Sequence, residues 1–284
     1  MAAASSGPIL GAYGLRLEGA ELDSARDLLV PAEAQWPKLE LARAVGGPFE
    51  RELDRVSGSG AKLHLENGGL IEIDLADNRA TVTTPERIAT TELVHPYLAP
   101  IAATLAYWLG RESFHAGAFC SDGAVWAIFG DRGAGKSSTL GWLALNGVPV
   151  VCDDMLILDG LRAFAGPRSV DLRKEGAEML GAGEPLGVVG ARERWRLSVP
   201  QVQGDLRLRG TVFLSWGHEA TSTRLRPAER LIRLSRQRGV RIPPRDPEAL
   251  IAIAELPSWE IARAPGRDSL AATGERLVEL TAAA

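Results

Sequence analysis

The sequence lacks the features that mark secreted, membrane and nucleic-acid-binding proteins. Its two cysteines, Cys120 and Cys152, are too few for a disulfide framework, which favours a reducing compartment. No apolar run reaches the roughly 18 residues of a membrane-spanning helix, and the first residues lack the basic start and apolar core of a signal peptide. With 32 basic and 36 acidic residues, the net charge is −4, so composition does not favour nucleic acid as a partner. We therefore predict a cytoplasmic protein without a membrane segment.

Lysine is also scarce, which draws attention to one of its positions. Although the chain has 32 basic residues, lysine occurs only four times, as Lys38, Lys62, Lys136 and Lys174. One of the four lies in the segment GDRGAGKSS, which satisfies the pattern G-x-x-x-x-G-K-[ST] of a phosphate-binding loop. The apolar run before it, Ala124 to Phe129, predicts a buried strand, and Ser138 to Leu145 predicts a helix after it. A strand before the loop and a helix after it are the context that this motif requires.

The residue types in this loop suit a nucleotide. Glycines let the backbone bring its N–H groups close to phosphate oxygens, and the helix adds the positive end of its dipole. Lys136 would contact the β and γ phosphates, and the hydroxyl of Ser137 would coordinate Mg²⁺. The predicted nucleotide-binding residues are Gly130, Asp131, Arg132, Gly133, Ala134, Gly135, Lys136, Ser137 and Ser138.

Two adjacent aspartates follow the next predicted strand. Val148 to Val151 is a short β-branched run that leads into Asp153 and Asp154. In a parallel sheet, these side chains and the phosphate loop would emerge at the same edge, where ligands bind. One carboxylate could then hold Mg²⁺ while the other accepts a proton from an attacking hydroxyl. The alternative is a strand-ending turn with solvated aspartates.

Three segments together resemble a known family. FHAGAF, GDRGAGKSS and VVCDD, in this order and spacing, resemble the catalytic core of HPr kinase/phosphorylase. They are still more similar to the stand-alone HPr-kinase-like enzymes encoded with ribosomally made peptides, including lasso peptide tailoring kinases. The resemblance implies ATP and Mg²⁺ as cofactors and a serine hydroxyl of a peptide or protein as acceptor. It also implies Asp153 as the base, Asp154 with Ser137 at the metal, and His115 near the transferred phosphate.

Residue types alone leave His115 and the region after the aspartates open. His115 on its own would be a core histidine in a strand of small residues. In residues 164–178, Arg173 could approach the phosphates or an acidic peptide, and Asp171 with Glu175 could complete a metal site. The alternative for this segment is a polar loop with surface ion pairs that leads into a helix.

A second group of candidate substrate residues lies in the segment RERWR, residues 192–196. Its alternation predicts a strand with arginines on one face. Arg192 or Arg194 would then contact the substrate or the γ-phosphate. The alternative is a solvated edge strand.

Residues 221–245 have an unusual charge distribution. They contain eight arginines and one acid, Glu229, which gives a local charge of +7. Within them, Pro227 to Arg238 reads as an amphipathic helix with arginines outward. Its predicted inward residues are Ala228, Leu231, Ile232 and Leu234. This face is either simply solvated or an electrostatic dock for an anionic partner such as an acidic peptide.

The whole chain reads as an α/β protein with two parts. Residues 1–92 show alternating strands and the turn signal Asn67-Gly68-Gly69, which predicts a small β-rich domain. Residues 93–284 would form a P-loop kinase domain of HPr-kinase type with a C-terminal α/β extension. A helix is expected from Thr91 to Leu109, with Pro96 and Pro100 interrupting its start and His95 in a structural role at that boundary.

Three functions are compatible with this reading. The first is an ATP- and Mg²⁺-dependent serine kinase acting on a peptide or protein. The second is a small-molecule hydroxyl kinase on the same scaffold, and the third is a nucleotide-gated binding module without phosphoryl transfer. The acceptor's identity and a homo-oligomeric state are left open.

Overall fold

The computed structural model describes residues 8–19, 22–218 and 221–282. It is a mixed α/β structure with four sheets, of eight, six, three and three strands. None of the helices in these described ranges is both long and apolar enough to span a membrane.

The N-terminal residues form the eight-stranded sheet, ordered β3-β1-β2-β4-β8-β7-β6-β5. Its strands are β1 (Leu10–Ala12), β2 (Leu15–Glu18), β3 (Val30–Pro31), β4 (Lys38–Val45), β5 (Arg55–Val56), β6 (Gly60–His64), β7 (Leu70–Asp74) and β8 (Arg79–Thr84). A 3-10 helix, Leu22–Leu28, lies between β2 and β3. The β6–β7 hairpin encloses the turn that the sequence predicts at residues 67–69. From Ile71 to Asp74, buried and exposed side chains alternate, which is the two-residue period that predicts a strand.

The helix predicted from Thr91 to Leu109 is interrupted. It consists of α1 (Thr90–Glu92), an irregular turn over Leu93–Tyr97 and α2 (Leu98–Trp108). His95 leaves the helical conformation, with φ −148° and ψ 116°. The cause is Pro96, because a proline disfavours the helical conformation of the residue before it and has no N–H to donate.

The rest of the chain alternates short strands and helices. The strands are β9 (Glu112–Phe114), β10 (Gly117–Ser121), β11 (Ala124–Phe129), β12 (Val150–Cys152), β13 (Leu156–Asp159), β14 (Arg162–Phe164), β15 (Ser169–Leu172), β16 (Glu184–Val189), β17 (Arg192–Ser198), β18 (Leu208–Trp216), β19 (Thr221–Arg224) and β20 (Ser258–Arg263). The helices are α3 (Lys136–Leu145), α4 (Lys174–Leu180), α5 (Pro227–Arg236), α6 (Pro247–Glu255) and α7 (Arg267–Ala282). The predicted strand before the phosphate loop and the helix after it are therefore confirmed.

The six-stranded sheet, ordered β12-β10-β11-β18-β20-β19, is mixed rather than parallel. Strands β11, β18 and β20 are parallel, but β10 lies between β11 and β12 and is antiparallel to both. Asp122 and Gly123, both with positive φ, form the tight turn from β10 into β11. Since β11 and β12 still run in the same direction, the phosphate loop and the two aspartates emerge at one edge, as predicted.

The two smaller sheets are ordered β14-β13-β9 and β15-β17-β16. Strand β17 is the central strand of its sheet, so its interpretation as a solvated edge strand is wrong. Both neighbours pair with it antiparallel.

The N-terminal segment shares its hydrophobic core with the rest of the chain. Trp36 and Phe164 meet edge to face, with ring centroids 5.7 Å apart. The backbone N–H of Tyr13 donates to the carbonyl of Ala165 at 2.7 Å. One continuous cluster of buried side chains includes residues from both sides of position 92. The division into two domains at that position stays a prediction.

The orientation predicted for helix α5 is wrong. Leu231 and Ile232 are 38% and 54% exposed, while Arg230 is 6% exposed. Ala228 is exposed too, and Leu234 is the only predicted inward residue that is buried. The guanidinium of Arg230 donates to three backbone carbonyls at the end of α6. Those carbonyls have no partner within their helix, so the arginine turns inward and the apolar residues turn outward.

Candidate active site

A cavity of about 560 Å³ lies at the carboxyl edge of the six-stranded sheet. It brings together most of the residues that the sequence predicts for the site. These are His115, Arg132, Gly133, Gly135, Lys136, Ser137, Ser138, Asp153, Asp154, Arg173, Arg192 and Arg194. The other three predicted loop residues, Gly130, Asp131 and Ala134, complete the loop without lining the cavity.

The loop between β11 and α3 needs glycine at two positions for different reasons. Gly130 has φ +154°, and a Cβ there would lie 2.9 Å from the carbonyl oxygen of Leu214. Gly135 has φ +88°, a left-handed conformation that L side chains rarely adopt. A Cβ at Gly135 would also lie 1.7 Å from a guanidinium nitrogen of Arg263. Glycine at these two positions therefore lets the loop turn tightly while it packs against Leu214 and Arg263.

Lys136 begins helix α3 and folds back over the loop. Its Nζ donates to the carbonyl of Gly130 at 2.6 Å. Burial lowers the pKa of Lys136, although the nearby aspartates oppose that shift. The ammonium group therefore lies inside the loop with only backbone carbonyls as hydrogen-bond partners among the described residues. A phosphate oxygen would be a stronger partner, because a charged acceptor strengthens a hydrogen bond.

Ser137 and Asp153 connect the loop to the end of β12. The Ser137 hydroxyl donates to Oδ1 of Asp153 at 3.0 Å. The other carboxylate oxygen accepts from the backbone N–H of Asp171 at 3.2 Å. These two contacts fix the Asp153 carboxylate beside the loop. They also keep it next to Ser137, a side chain that the sequence assigns to Mg²⁺.

Asp153 has a strongly perturbed ionisation. The residue is only 3% exposed, and burial raises its pKa to about 8, with further contributions from Asp154 and Asp171. The hydrogen bonds from Ser137 and from the backbone of Asp171 act in the opposite direction. A carboxyl with a pKa near neutrality inside a cavity is characteristic of a general base.

Asp154 and His115 face each other at the mouth of the cavity. His115 Nδ1 lies 3.5 Å from Oδ1 of Asp154, and both side chains are about two-fifths exposed. His115 is therefore not the core histidine that its strand alone would predict. Burial lowers its pKa despite the nearby carboxylate, so the ring is neutral at pH 7. Asp154 adopts φ +92°, which turns it away from the course of β12.

A buried cluster behind Asp153 was missed by sequence reasoning. Asp171 accepts two hydrogen bonds from Arg196, at 2.8 and 3.0 Å. His95 Nε2 lies 3.5 Å from the same carboxylate. Burial alone would raise the pKa of Asp171, but His95 and the arginines hold it below its usual value. The alternation in RERWR predicts Arg196 on the same face as Arg192 and Arg194, whereas nothing local marks His95 as a cavity residue.

This cluster bears on two interpretations that the sequence left open, those of Asp171 and His95. Asp171 lies in strand β15 and is buried, so the polar-loop interpretation of its segment is wrong. Its carboxylate is committed to Arg196, which makes it a support for Asp153 rather than a metal ligand. His95, predicted as structural, is 1% exposed and lines the cavity.

Three further cavity or rim residues carry no local sequence signal. Arg263 and Trp216 are the last residues of β20 and β18, and they reach the loop only because β18 pairs with β11 and β20 pairs with β18. Glu66, from the β6–β7 turn, approaches Arg132 at 3.6 Å and Arg192 at 3.5 Å. The N-terminal sheet thus places a carboxylate at the rim, between Arg132, predicted to bind the nucleotide, and Arg192, predicted to contact the substrate.

The residues present fit a magnesium nucleotide. Lys136 and the glycine-lined backbone are suited to phosphate oxygens, while Ser137 and the paired carboxylates offer the oxygen ligands that Mg²⁺ takes. Within the described ranges, no group of three or more His, Cys, Asp or Glu side chains could hold a metal ion. Mg²⁺ usually binds through one or two carboxylates together with substrate phosphates.

Comparison with known proteins gives little further constraint. No model of a known protein family matches the chain, and no curated protein matches it. Among solved structures, it is similar to the HPr(Ser) kinase/phosphatase from Coxiella burnetii at 14% identity and a TM-score of 0.32. That match covers 61% of this chain and 99% of the other. So low a TM-score establishes neither a shared fold nor a shared activity.

Proposed function

We propose that the protein is a kinase that uses Mg·ATP to phosphorylate a hydroxyl group, specifically a serine of a peptide or protein. The observation that carries this proposal is the convergence of Lys136, Ser137, Asp153 and Asp154 on one cavity. Phosphoryl transfer depends on positioning and on neutralising charge, and these side chains are suited to both tasks. A module that only binds nucleotide would not need a carboxyl of raised pKa beside the loop serine.

Each side chain has a distinct role in this proposal. Lys136 and the loop amides bind the β and γ phosphates and stabilise the charge on the transferred group. Ser137 and Asp154 would hold Mg²⁺, which when bound would neutralise charge on the phosphate oxygens. Asp153 is the general base, and Asp171 keeps its carboxylate in place through the backbone N–H.

The transfer step follows from these positions. Asp153 accepts the proton of the acceptor hydroxyl as the hydroxyl oxygen forms a bond to the γ-phosphorus. The bond from that phosphorus to the bridging β-phosphate oxygen breaks, so the products are a phosphoserine and ADP. The proton on Asp153 is then released to water. Because Asp153 must be ionised to act, kcat/KM should rise with pH towards its pKa of about 8 and level off above it.

Arginines at the cavity favour an acceptor with acidic residues near its serine. Arg192 lies 3.5 Å from Glu66, and both side chains are substantially exposed. Exposed ion pairs contribute only about 0–1 kcal/mol, so a carboxylate of the acceptor could replace Glu66 at little cost. Arg173 lines the cavity as well and is exposed.

The direct test is mass spectrometry of the full chain incubated with Mg·ATP and serine-bearing peptides encoded beside its gene. We expect one added phosphate on a serine, no transfer and weak ATP binding with Lys136→Ala, and ATP binding without transfer with Asp153→Asn. Retained transfer by Asp153→Asn would show that another group is the base. Phosphorylation of small hydroxyl compounds but of no peptide would replace the peptide acceptor with a small-molecule one.

A further inference from the structure

Trp216 is unusual among the residues of the cavity. It ends strand β18, is 51% exposed and lines the same cavity as the phosphate loop. Strand β18 is parallel to β11, with Phe213 opposite Phe129, so Trp216 lies beside the loop that follows β11. Of the described residues that line this cavity, it alone has a ring large enough to cover a purine.

The indole ring is held in place from two directions. Its Nε1 donates to the carbonyl of Gly133 at 3.2 Å, which ties it to the phosphate loop. The guanidinium of Arg263 lies 4.3 Å from its ring centroid. Together these two contacts hold the ring in one orientation beside the loop.

Arg263 itself is fixed by the loop. It is 2% exposed and donates to the carbonyl of Ala134 at 3.4 Å. It also fills the space where a side chain at Gly135 would lie. The guanidinium of Arg263 therefore lies between the phosphate loop and the indole of Trp216. It covers one face of the indole and leaves the ring partly open to solvent.

We infer that Trp216 is a stacking platform for the nucleobase of the bound nucleotide. This inference rests on the proposed function, since it requires the phosphates to occupy the loop. A flat, pre-positioned ring beside the phosphate site can cover the face of a base, and burying that face contributes to affinity without hydrogen bonds to the base edges. Trp216 thus supplies the part of nucleotide recognition that the phosphate loop does not provide.

The test measures the contribution of the nucleobase to binding separately from that of the phosphates. Calorimetric titration of the full chain with Mg·ATP and with Mg·tripolyphosphate measures binding with and without a nucleobase. We expect Trp216→Ala to weaken Mg·ATP binding about tenfold, the order found for one base–aromatic stack, and to leave tripolyphosphate binding unchanged. Trp216→Phe, which keeps a ring but loses the Nε1 donor, should retain most of the affinity for Mg·ATP.

Trp108→Ala is the matched control. Trp108 also donates its Nε1 to a backbone carbonyl, that of Ser57 at 2.9 Å, but it does not line the cavity. Its replacement should leave both titrations unchanged. If Trp216→Ala weakens both ligands equally, or neither, the platform is overturned while the proposed function stands. If the wild type binds neither ligand, the platform and the proposed function both fail.

Discussion

At the scale of single residues, the site depends on one carboxyl whose burial is unfavourable for the folded protein. Asp153 is buried beside Asp154 and near Asp171, and its pKa is raised to about 8. In the unfolded chain, its pKa returns to the ordinary value of about 3.9. The folded state therefore binds a proton more tightly than the unfolded state, which makes stability depend on pH.

The sign of this dependence is fixed by the direction of the shift. Between about pH 4 and pH 8, the folded state carries more protons at this group than the unfolded state, so Asp153 makes the free energy of unfolding fall as pH rises. Asp153→Asn removes that contribution. We expect the stability of the variant relative to the wild type to rise by roughly 4 kcal/mol between pH 5 and pH 8.5, since about three units of the pKa shift fall in that range and each corresponds to about 1.4 kcal/mol.

Urea unfolding at several pH values measures this difference. The stability gap between Asp153→Asn and the wild type should widen from pH 5 to pH 8.5. A gap that stays constant with pH would contradict the raised pKa of Asp153.

At the scale of elements, the segment from β11 through the loop to α3 positions the phosphate site. Gly133 and Gly135 both have φ +88°, but only Gly135 has a neighbour in the space where a Cβ would be built. The two positions thus form a matched pair. A side chain at Gly133 would add only backbone strain, whereas one at Gly135 would also displace Arg263.

Alanine at either position tests this arrangement. Gly133→Ala should lower the free energy of unfolding by about 1–2 kcal/mol, the cost of a left-handed conformation for a residue with a Cβ. Gly135→Ala should cost about 1–3 kcal/mol more, because Arg263 must leave its place between the loop and Trp216. Chemical denaturation measures both variants, and equal losses would contradict a packing role for Arg263.

Sequence patterns predict local elements well but not how they meet. The strand Ala124–Phe129, the following helix and the paired aspartates are encoded by adjacent residues, and they were predictable for that reason. The antiparallel β10 between β11 and β12 is a matter of long-range pairing, which no local period specifies. Helix α5 shows a different limit, because the unpaired carbonyls that end α6 draw Arg230 inward against the amphipathic pattern.

The same distinction explains which site residues were found. Lys136 and Asp153 belong to motifs whose chemistry is visible in the sequence. His95, Trp216 and Arg263 reach the cavity from separate parts of the chain, through a break in a helix and the ends of two strands. Only the tertiary structure brings them to the phosphate loop.

At the scale of the whole molecule, the N-terminal sheet is joined to the rest through Phe164. Its ring is 2% exposed, meets Trp36 edge to face, and lies 4.4 Å from the guanidinium of Arg111. Strand β14, which carries it, is far along the chain from the first sheet. We expect contacts of this kind to make the two parts unfold together.

Phe164→Ala tests this coupling. Removing a buried aromatic ring should lower the free energy of unfolding by about 3–5 kcal/mol. In the wild type, tryptophan fluorescence and far-UV circular dichroism should report a single shared transition. Two separate transitions would indicate that the N-terminal segment unfolds independently, in agreement with the domain division at residue 92 and against the coupling through Phe164.

In the proposed function, the cavity binds Mg·ATP through Lys136 and uses Asp153 only in the transfer step. Calorimetric titration of the wild type, Lys136→Ala and Asp153→Asn with Mg·ATP distinguishes these two roles. We predict one site per chain, at least tenfold weaker binding with Lys136→Ala, and affinity close to wild type with Asp153→Asn. Equal binding by the wild type and Lys136→Ala, or no binding by either, would contradict the claim.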